Sequence, residues 1–238
     1  MKIGILGGTG HMGRGLALRL VLKHDVLIGS RSLDRAQDFV KKLEDVARGF
    51  YQEEIQGSFQ GVLYCTAVKE ADVVFVSLPA KAVISTLTGI KEYFNQKQII
   101  VSNVVPMVKS GKLFHYSPLS DDEKGQCSGS SAAEVIQETV GSIPVVCGFQ
   151  TVPAAYLNNV DSILNIDVLI ASDNEGAIVQ VSKLIRDIPN LRPLNVGPLE
   201  NAKFIEPLTP LLLNASILNK LNTPSLRVVP WNSPSLER

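Results

Sequence analysis

The chain has 238 residues, enough for one nucleotide-binding domain and a smaller second domain. Its 23 basic and 23 acidic residues cancel, which argues against a surface that binds nucleic acid or an anionic membrane. No apolar run approaches the roughly 18 residues of a membrane span, and we expect no signal segment before the first strand. Three cysteines and three histidines lack metal-ligand spacing. We therefore expect a cytoplasmic protein that binds small molecules and no metal ion.

The N-terminal segment has the pattern of a strand, a glycine-rich turn and a helix. An apolar run over Lys2–Leu6 enters a turn in which Gly8, Gly10 and Gly13 have the spacing G-x-G-x-x-G. Such glycines allow a tight turn, a close approach of backbone to a pyrophosphate, and packing of helix on strand. A second apolar strand at 26–29 follows where a βαβ unit requires one. The pattern predicts a dinucleotide site, and the alternative is that the glycines serve only the turn.

The residues after the second strand indicate which dinucleotide binds. In NAD-binding proteins an acidic residue about 20 positions after the glycines holds the ribose 2′-hydroxyl and would repel a 2′-phosphate. Here the strand ends in Ser30 and Arg31, and Arg35 follows one helical turn later. A guanidinium group matches phosphate oxygens in a bidentate manner and stacks on adenine. The segment predicts NADP, and the alternative is a solvated helix start with ordinary surface arginines.

The following apolar runs predict a Rossmann-type, doubly wound parallel sheet of the α/β class. Continuous β-branched runs suit parallel strands that are covered on both faces. The expected strands are 62–65, 73–78, 98–102 and 145–147. The expected helices are 33–43, one that opens at Pro79, and one capped by Ser131. The polar segment 110–130 is expected to be a surface loop.

The Pro-bearing stretch after Gly148 is the expected domain boundary. We predict an NADP-binding Rossmann domain at 1–149 and a smaller C-terminal α/β domain at 150–238 that contributes the second-substrate site. The smaller domain is expected to contain a strand at 166–170, then a helix capped by Ser172, and then a further strand.

The last predicted helix has Thr209 as its N-cap and Pro210 as its first residue. It is apolar nearly all round, so we expect it to be buried. Burial within the subunit and burial against a second copy, in a homodimer, are both open. The tail from Pro224 lacks periodicity and is expected to be partly mobile.

Strings along the chain resemble those of the NADPH-dependent coenzyme F420 reductases, also called F420H2:NADP oxidoreductases. The most specific are Leu6-Gly7-Gly8-Thr9-Gly10, Gly29-Ser30-Arg31, Pro153-Ala154-Ala155 and Glu206-Pro207-Leu208-Thr209-Pro210-Leu211. The resemblance extends from Met1 to about Asn214. It implies an enzyme that transfers a hydride between C4 of the NADP(H) nicotinamide and C5 of the deazaflavin F420. Catalysis would consist mainly of the alignment of the two rings, without a catalytic side chain.

The resemblance also implies where the two coenzymes bind. The pyrophosphate would be held by Gly8, Thr9, Gly10, His11 and Met12, and the 2′-phosphate by Ser30, Arg31 and Arg35. The nicotinamide and its ribose would contact Leu78, Pro79, Val105, Pro106 and Ala154. The deazaflavin would face Glu206, Leu208, Thr209 and Pro210.

Some positions differ from the usual pattern of that family. Gln150 stands where a His often precedes the Thr-x-Pro-Ala string, and 118–129 is an insertion. Two alternatives stay open. One is an NADPH-dependent reductase of an imine, ketone, flavin or ferric chelate. The other is a non-catalytic NADP(H)-binding sensor that assembles through its last helix.

Overall fold

A computed structural model describes residues 1–229. Its strands are β1 Lys2–Leu6, β2 Asp25–Ser30, β3 Phe59–Leu63, β4 Val73–Val76, β5 Ile99–Ser102, β6 Met107–Ser110, β7 Leu113–Tyr116, β8 Val145–Cys147, β9 Ile166–Ile170 and β10 Leu191–Asn195. Its α-helices are α1 His11–Leu20, α2 Leu33–Tyr51, α3 Tyr64–Glu70, α4 Ala80–Gly89, α5 Asp121–Lys124, α6 Ala132–Val140, α7 Ala154–Asn158, α8 Glu175–Arg186, α9 Ala202–Ile205 and α10 Leu208–Asn219. No helix in this part of the chain is long and apolar enough to cross a membrane.

The central sheet has six parallel strands in the order β3-β2-β1-β4-β5-β8. The chain winds outward from β1 to β3 and then in the opposite direction from β4 to β8. The order therefore reverses between β1 and β4, and ligands of such sheets bind at the carboxyl ends of the strands beside this switch point. The predicted Rossmann-type α/β fold is confirmed.

Apolar side chains cover both faces of this sheet, as its continuous hydrophobic strands require. In β4, Val73 and Phe75 join the core cluster on one face, and Val74 and Val76 join the cluster on the other. Both clusters continue into the C-terminal segment, where β9 and β10 form a separate two-stranded parallel sheet. The segments on either side of residue 150 thus share their hydrophobic cores.

The structure differs from the prediction between α2 and α3. Helix α2 continues beyond residue 43 to Tyr51, and β3 occupies Phe59–Leu63 rather than 62–65 because Tyr64 begins α3. A Cβ at Gly61 would lie 2.5 Å from the carbonyl carbon of Ala36 in α2. The strand therefore requires glycine, a residue that weakens the sequence signal for a strand.

The segment 110–130, predicted as a loop, is partly regular. Its first residues belong to an antiparallel hairpin of β6 and β7, with Gly111 at φ +59° in the turn, and α5 follows. The predicted caps also shift. Pro79 and Pro207 are the N-caps of α4 and α10, and Asn174 rather than Ser172 caps α8 by accepting from the Ala177 N–H at 2.8 Å.

Helix α10 was predicted to be buried, and within the described residues it is not. Only Pro210 of this helix is buried, while Leu211 and Leu218 are 62% and 67% exposed. Helix α10 is instead hydrogen-bonded to the hairpin of β6 and β7. The Asn214 side chain accepts from the Phe114 N–H at 2.8 Å and donates to the Phe114 carbonyl at 2.7 Å. One apolar face of α10 is therefore left uncovered by residues 1–229.

The first residues of the tail, expected to be partly mobile, are held along β9. The backbone N–H of Asp167 donates to Leu226, and the N–H of Val228 donates to the Asp167 carboxylate at 2.6 Å. Arg192 donates to both oxygens of this buried carboxylate at 2.7 Å. Burial acts to raise the pKa of Asp167, but these bonds hold it below its usual value. The remainder of the tail, 230–238, lies outside the described residues.

Candidate functional site

The loop between β1 and α1 makes a tight turn that requires glycine at some of its positions. Gly7 has φ +79°, and a Cβ there would lie 2.5 Å from the Ser77 carbonyl oxygen. A Cβ at Gly13 would lie 2.6 Å from the Gly8 Cα. The Gly10 N–H donates to the Gly7 carbonyl at 2.9 Å and closes the turn. The N–H groups that open α1 have no partners within the helix, so they suit an anion such as a pyrophosphate.

Helix α1 is fixed against α7, the helix that begins at Ala154. A Cβ at Gly15 would lie 2.5 Å from the Leu157 Cβ, so the two helices meet in close contact. The Asn158 side chain accepts from Arg14 at 2.6 Å and donates to the His11 carbonyl at 2.8 Å. The phosphate loop and the segment around Ala154 therefore hold a fixed position relative to each other.

The residues predicted to bind the 2′-phosphate lie at the carboxyl end of β2. Ser30 is buried, and its Oγ accepts from the Ser32 N–H at 3.3 Å. Ser32 caps α2 by accepting from the Arg35 N–H at 3.3 Å. Arg31 and Arg35 are exposed beside this turn. The arrangement leaves two guanidinium groups available to a phosphate at this edge of the sheet.

A cavity of about 500 Å³ opens at the carboxyl ends of β5 and β8. Its volume is within the range of about 300–1,000 Å³ that is usual for small-molecule sites. Four of the predicted residues line it, namely Met12, Val105, Ala154 and Thr209. Other lining residues were not among the predicted binding residues, although Gln150 was noted as a departure from the family pattern. They include Phe149, Gln150, Ala155, Leu212 and Thr223. They come from three separate segments, so no local pattern could have joined them.

The other predicted residues lie near the cavity or the loop without lining the cavity. The Leu78 side chain would be 3.3 Å from a Cβ at Gly7, so Leu78 adjoins the phosphate loop, and Pro79 follows it. The Pro106 carbonyl accepts from the Ser117 N–H at 3.1 Å at the base of the hairpin. Leu208 and Pro210 belong to the first turn of α10.

The cavity wall holds a polar cluster around Gln150. The Gln150 amide donates to the Ser102 carbonyl at 2.8 Å and to Cys147 Sγ at 3.1 Å. The Thr209 hydroxyl donates to the Gln150 carbonyl at 2.8 Å and ties α10 to the wall. Burial raises the pKa of the Cys147 thiol well above its ordinary value, so this thiol stays neutral. Among the described residues, no acidic, basic or thiol side chain lines the cavity.

Glu206, expected to face the deazaflavin, is instead fully buried beneath α6. Its carboxylate accepts from the N–H groups of Ala132 and Ala133 at 3.0 Å each, and from the Tyr116 hydroxyl at 3.0 Å. A negative charge at a helix N-terminus is favourable. Burial nevertheless outweighs these bonds and raises the pKa of Glu206 to about 7. Glu206 follows α9, and its side chain thus joins this point of the chain to α6 and the hairpin without lining the cavity.

Glu206 should make stability depend on pH. Because its pKa is raised from 4.5 to about 7 in the folded chain, the folded state binds a proton that the unfolded state releases. The free energy of unfolding should therefore fall between pH 4.5 and 7, by about 3 kcal/mol from this group.

Denaturant unfolding of the protein and of Glu206→Gln over this pH range would measure the effect. Their stability difference should shift by that amount in favour of the variant as the pH rises. A difference that is constant with pH would contradict the prediction. Comparing the two proteins removes the contribution of His24, whose pKa is lowered by burial and which acts in the opposite direction.

The switch-point sheet, the glycine-rich turn and the pair of arginines define a Rossmann-type oxidoreductase that uses a nicotinamide dinucleotide. The profile of the family described as NADP oxidoreductase coenzyme F420-dependent matches residues 2–106. The F420-dependent NADP reductase of Methanocaldococcus jannaschii is 34% identical over 96% of this chain and 98% of its own length. That of Methanothermobacter marburgensis is also 34% identical, over 96% and 98%. The chain belongs to the F420-dependent NADP reductase family.

Solved structures of low identity share the fold. A proposed F420-dependent NADP-reductase from Arthrobacter sp. FB24 superposes with a TM-score of 0.76 at 19% identity, over 96% of this chain and 99% of that chain. The Synechocystis arogenate dehydrogenase has a TM-score of 0.55 at 13% identity, over 83% of this chain and 60% of its own. These likenesses concern the backbone architecture alone.

Proposed function

We propose that this protein transfers a hydride between NADP(H) and the deazaflavin coenzyme F420. The observation that carries the proposal is the length of the match to relatives named F420-dependent NADP reductase. At 34% identity over 96% of the chain, the match extends beyond the 2–106 segment into the helix that lines the cavity. It therefore includes the side of the site that a dinucleotide-binding domain alone would not need.

The residues at the β1 and β2 ends fit NADP. The glycines of the Gly7–Gly13 loop allow its tight turn, because a Cβ at several of its positions would clash with backbone, and the free N–H groups that open α1 suit a pyrophosphate. Arg31 and Arg35 offer two guanidinium groups at the end of β2, where a 2′-phosphate would lie. Met12 reaches from the start of α1 to the cavity, so a dinucleotide held by this loop extends toward Val105 and Ala154.

The cavity fits a flat, largely apolar ring beside the nicotinamide. When bound, the two coenzymes supply the chemistry, in which a hydride passes between nicotinamide C4 and deazaflavin C5. The chain would exclude water through Phe149 and Leu212 and would orient the rings through the walls on either side. Because no acidic or basic side chain of the described residues lines the cavity, the protein would act mainly by alignment, an effect worth up to roughly 7–11 kcal/mol.

A photometric assay tests this function. Protein, NADPH and oxidised F420 are mixed, and the visible absorbance of the deazaflavin should be bleached at the rate at which NADPH is consumed. No bleaching over a range of pH would refute the proposal. Parallel assays with an imine, a ketone, a flavin and a ferric chelate separate the alternatives, because NADPH consumption with one of these and not with F420 would select another reductase.

We further propose a homodimer that works in the cytoplasm. The apolar side chains of Leu211, Leu218 and Phe204 are 62%, 67% and 64% exposed, which is unusual for large hydrophobic residues clustered near one helix. A second copy of the chain would cover them.

The three free cysteines suit a reducing compartment such as the cytoplasm. Light scattering should give twice the chain mass of 25.8 kDa, and a monomer at micromolar concentration would contradict the dimer.

A further inference from the structure

Tyr64 occupies the edge of the sheet beside the two arginines. Strands β2 and β3 pair in parallel with Ser30 opposite Leu63, so Tyr64, the next residue, lies next to Arg31. Its ring reaches across the end of β2, because a Cβ at Gly29 would lie 3.1 Å from the Tyr64 Cδ1. The side chain therefore extends from the start of α3 over β2 toward the loop between β1 and α1.

The Tyr64 hydroxyl lies on the side of that loop. Leu6 of β1 pairs with Gly29, so a ring that crosses Gly29 extends toward Gly7, the residue that follows Leu6. The positive charges of Arg31 and Arg35 act to lower the pKa of the Tyr64 phenol. Burial outweighs them and raises the pKa above 10, so the hydroxyl keeps its proton. Residues 1–229 show no hydrogen-bond acceptor for this hydroxyl, so its proton is free to be donated.

We propose that Tyr64 is a specificity-determining residue that donates a hydrogen bond to the 2′-phosphate held by Arg31 and Arg35. Besides the two guanidinium groups, the 2′-phosphate would then have a directed hydrogen bond from the neutral Tyr64 hydroxyl. Hydrogen bonds to a charged oxygen are stronger than those between neutral groups. The ring at the same time forms a wall on the β3 side of the adenosine end. This inference rests on the proposed NADP site and does not depend on F420.

Calorimetric titration with two small probes tests the proposal. The probes are 2′,5′-ADP, which carries the 2′-phosphate, and 5′-AMP, which does not. Tyr64→Phe keeps the ring and removes the donor. It should weaken binding of 2′,5′-ADP about tenfold and that of 5′-AMP less than twofold. Tyr93→Phe is the control, since it removes an exposed hydroxyl near α3, the helix that begins at Tyr64. It should change neither affinity.

Two results would overturn the proposal. One is an unchanged affinity of Tyr64→Phe for 2′,5′-ADP. The other is an equal loss for both probes, which would assign Tyr64 only to the packing of the loop. Should Tyr64→Phe fail to fold, Tyr64→Met is a second hydroxyl-free variant and must show the same selective loss. Neither probe carries a nicotinamide or meets the acceptor, so a negative F420 assay would leave this test valid.

Discussion

Arg31→Ala is expected to weaken NADPH binding by about 1.5–3 kcal/mol and to leave NADH binding almost unchanged. The guanidinium group lies at the carboxyl end of β2, beside the capped start of α2, where a 2′-phosphate would be its partner. Removing it would forfeit a charge-assisted bond that NADH does not make. Fluorescence titration with both nucleotides would measure the two dissociation constants.

The matched control for Arg31→Ala is Arg48→Ala. Arg48 is an exposed arginine at the far end of the same helix, where it pairs with Glu44 at 3.5 Å. Its removal should affect neither nucleotide. Equal losses of NADPH and NADH affinity in Arg31→Ala would show that the residue supports the loop and does not read the phosphate. Because the effect is between charges, it should also diminish as the salt concentration rises.

Ala155→Trp is expected to lower kcat/KM for F420 about a hundredfold while 2′,5′-ADP binds as before. Ala155 is exposed on α7 and lines the cavity, so an indole there would occupy space that the acceptor ring needs without disturbing the core. Small misplacements of reacting rings cost factors of this size.

The same assay on Ala155→Ser provides the control, because a hydroxymethyl group adds little volume and should leave kcat/KM near that of the unaltered protein. Undiminished turnover in Ala155→Trp would place the acceptor outside this cavity. Weakened binding of 2′,5′-ADP in that variant would instead show that the indole disturbs the helix contact with the phosphate loop.

Much of the fold follows from short-range signals in the sequence. Strands β1, β2, β4, β5 and β8 are largely continuous apolar runs. Such runs indicate parallel strands that are buried on both faces, so these segments are readily assigned as strands. Strand β3 was misplaced because Gln60 and Gly61 lack that signal, and Gly61 is required only by the approach of α2. The hairpin was missed because its strands have only four residues each and are held by Asn214, about a hundred residues further along the chain.

The site divides in the same way. The glycine loop between β1 and α1 and the Ser30-Arg31 pair are local sequence motifs, and their residue types indicate phosphate binding. The C-terminal residues were found only through the family resemblance. It did not reveal that Glu206 is buried, because a buried helix cap and a ligand contact look alike in a sequence. Tyr64 was missed because the sequence predicts it to lie within a strand. Only the observed pairing of β2 with β3 shows that it lies beside Arg31.

The order of the central sheet has a consequence for the evolution and redesign of this protein. The arginines follow β2, whereas the cavity opens beyond β5 and β8, on the other side of β1. The two groups of residues do not overlap, so under the proposed function coenzyme preference and acceptor choice would be separable traits. Laboratory selection could change the nucleotide preference by exchanging a few side chains near Ser30, while the opposite flank, and with it the choice of acceptor, would stay unaltered.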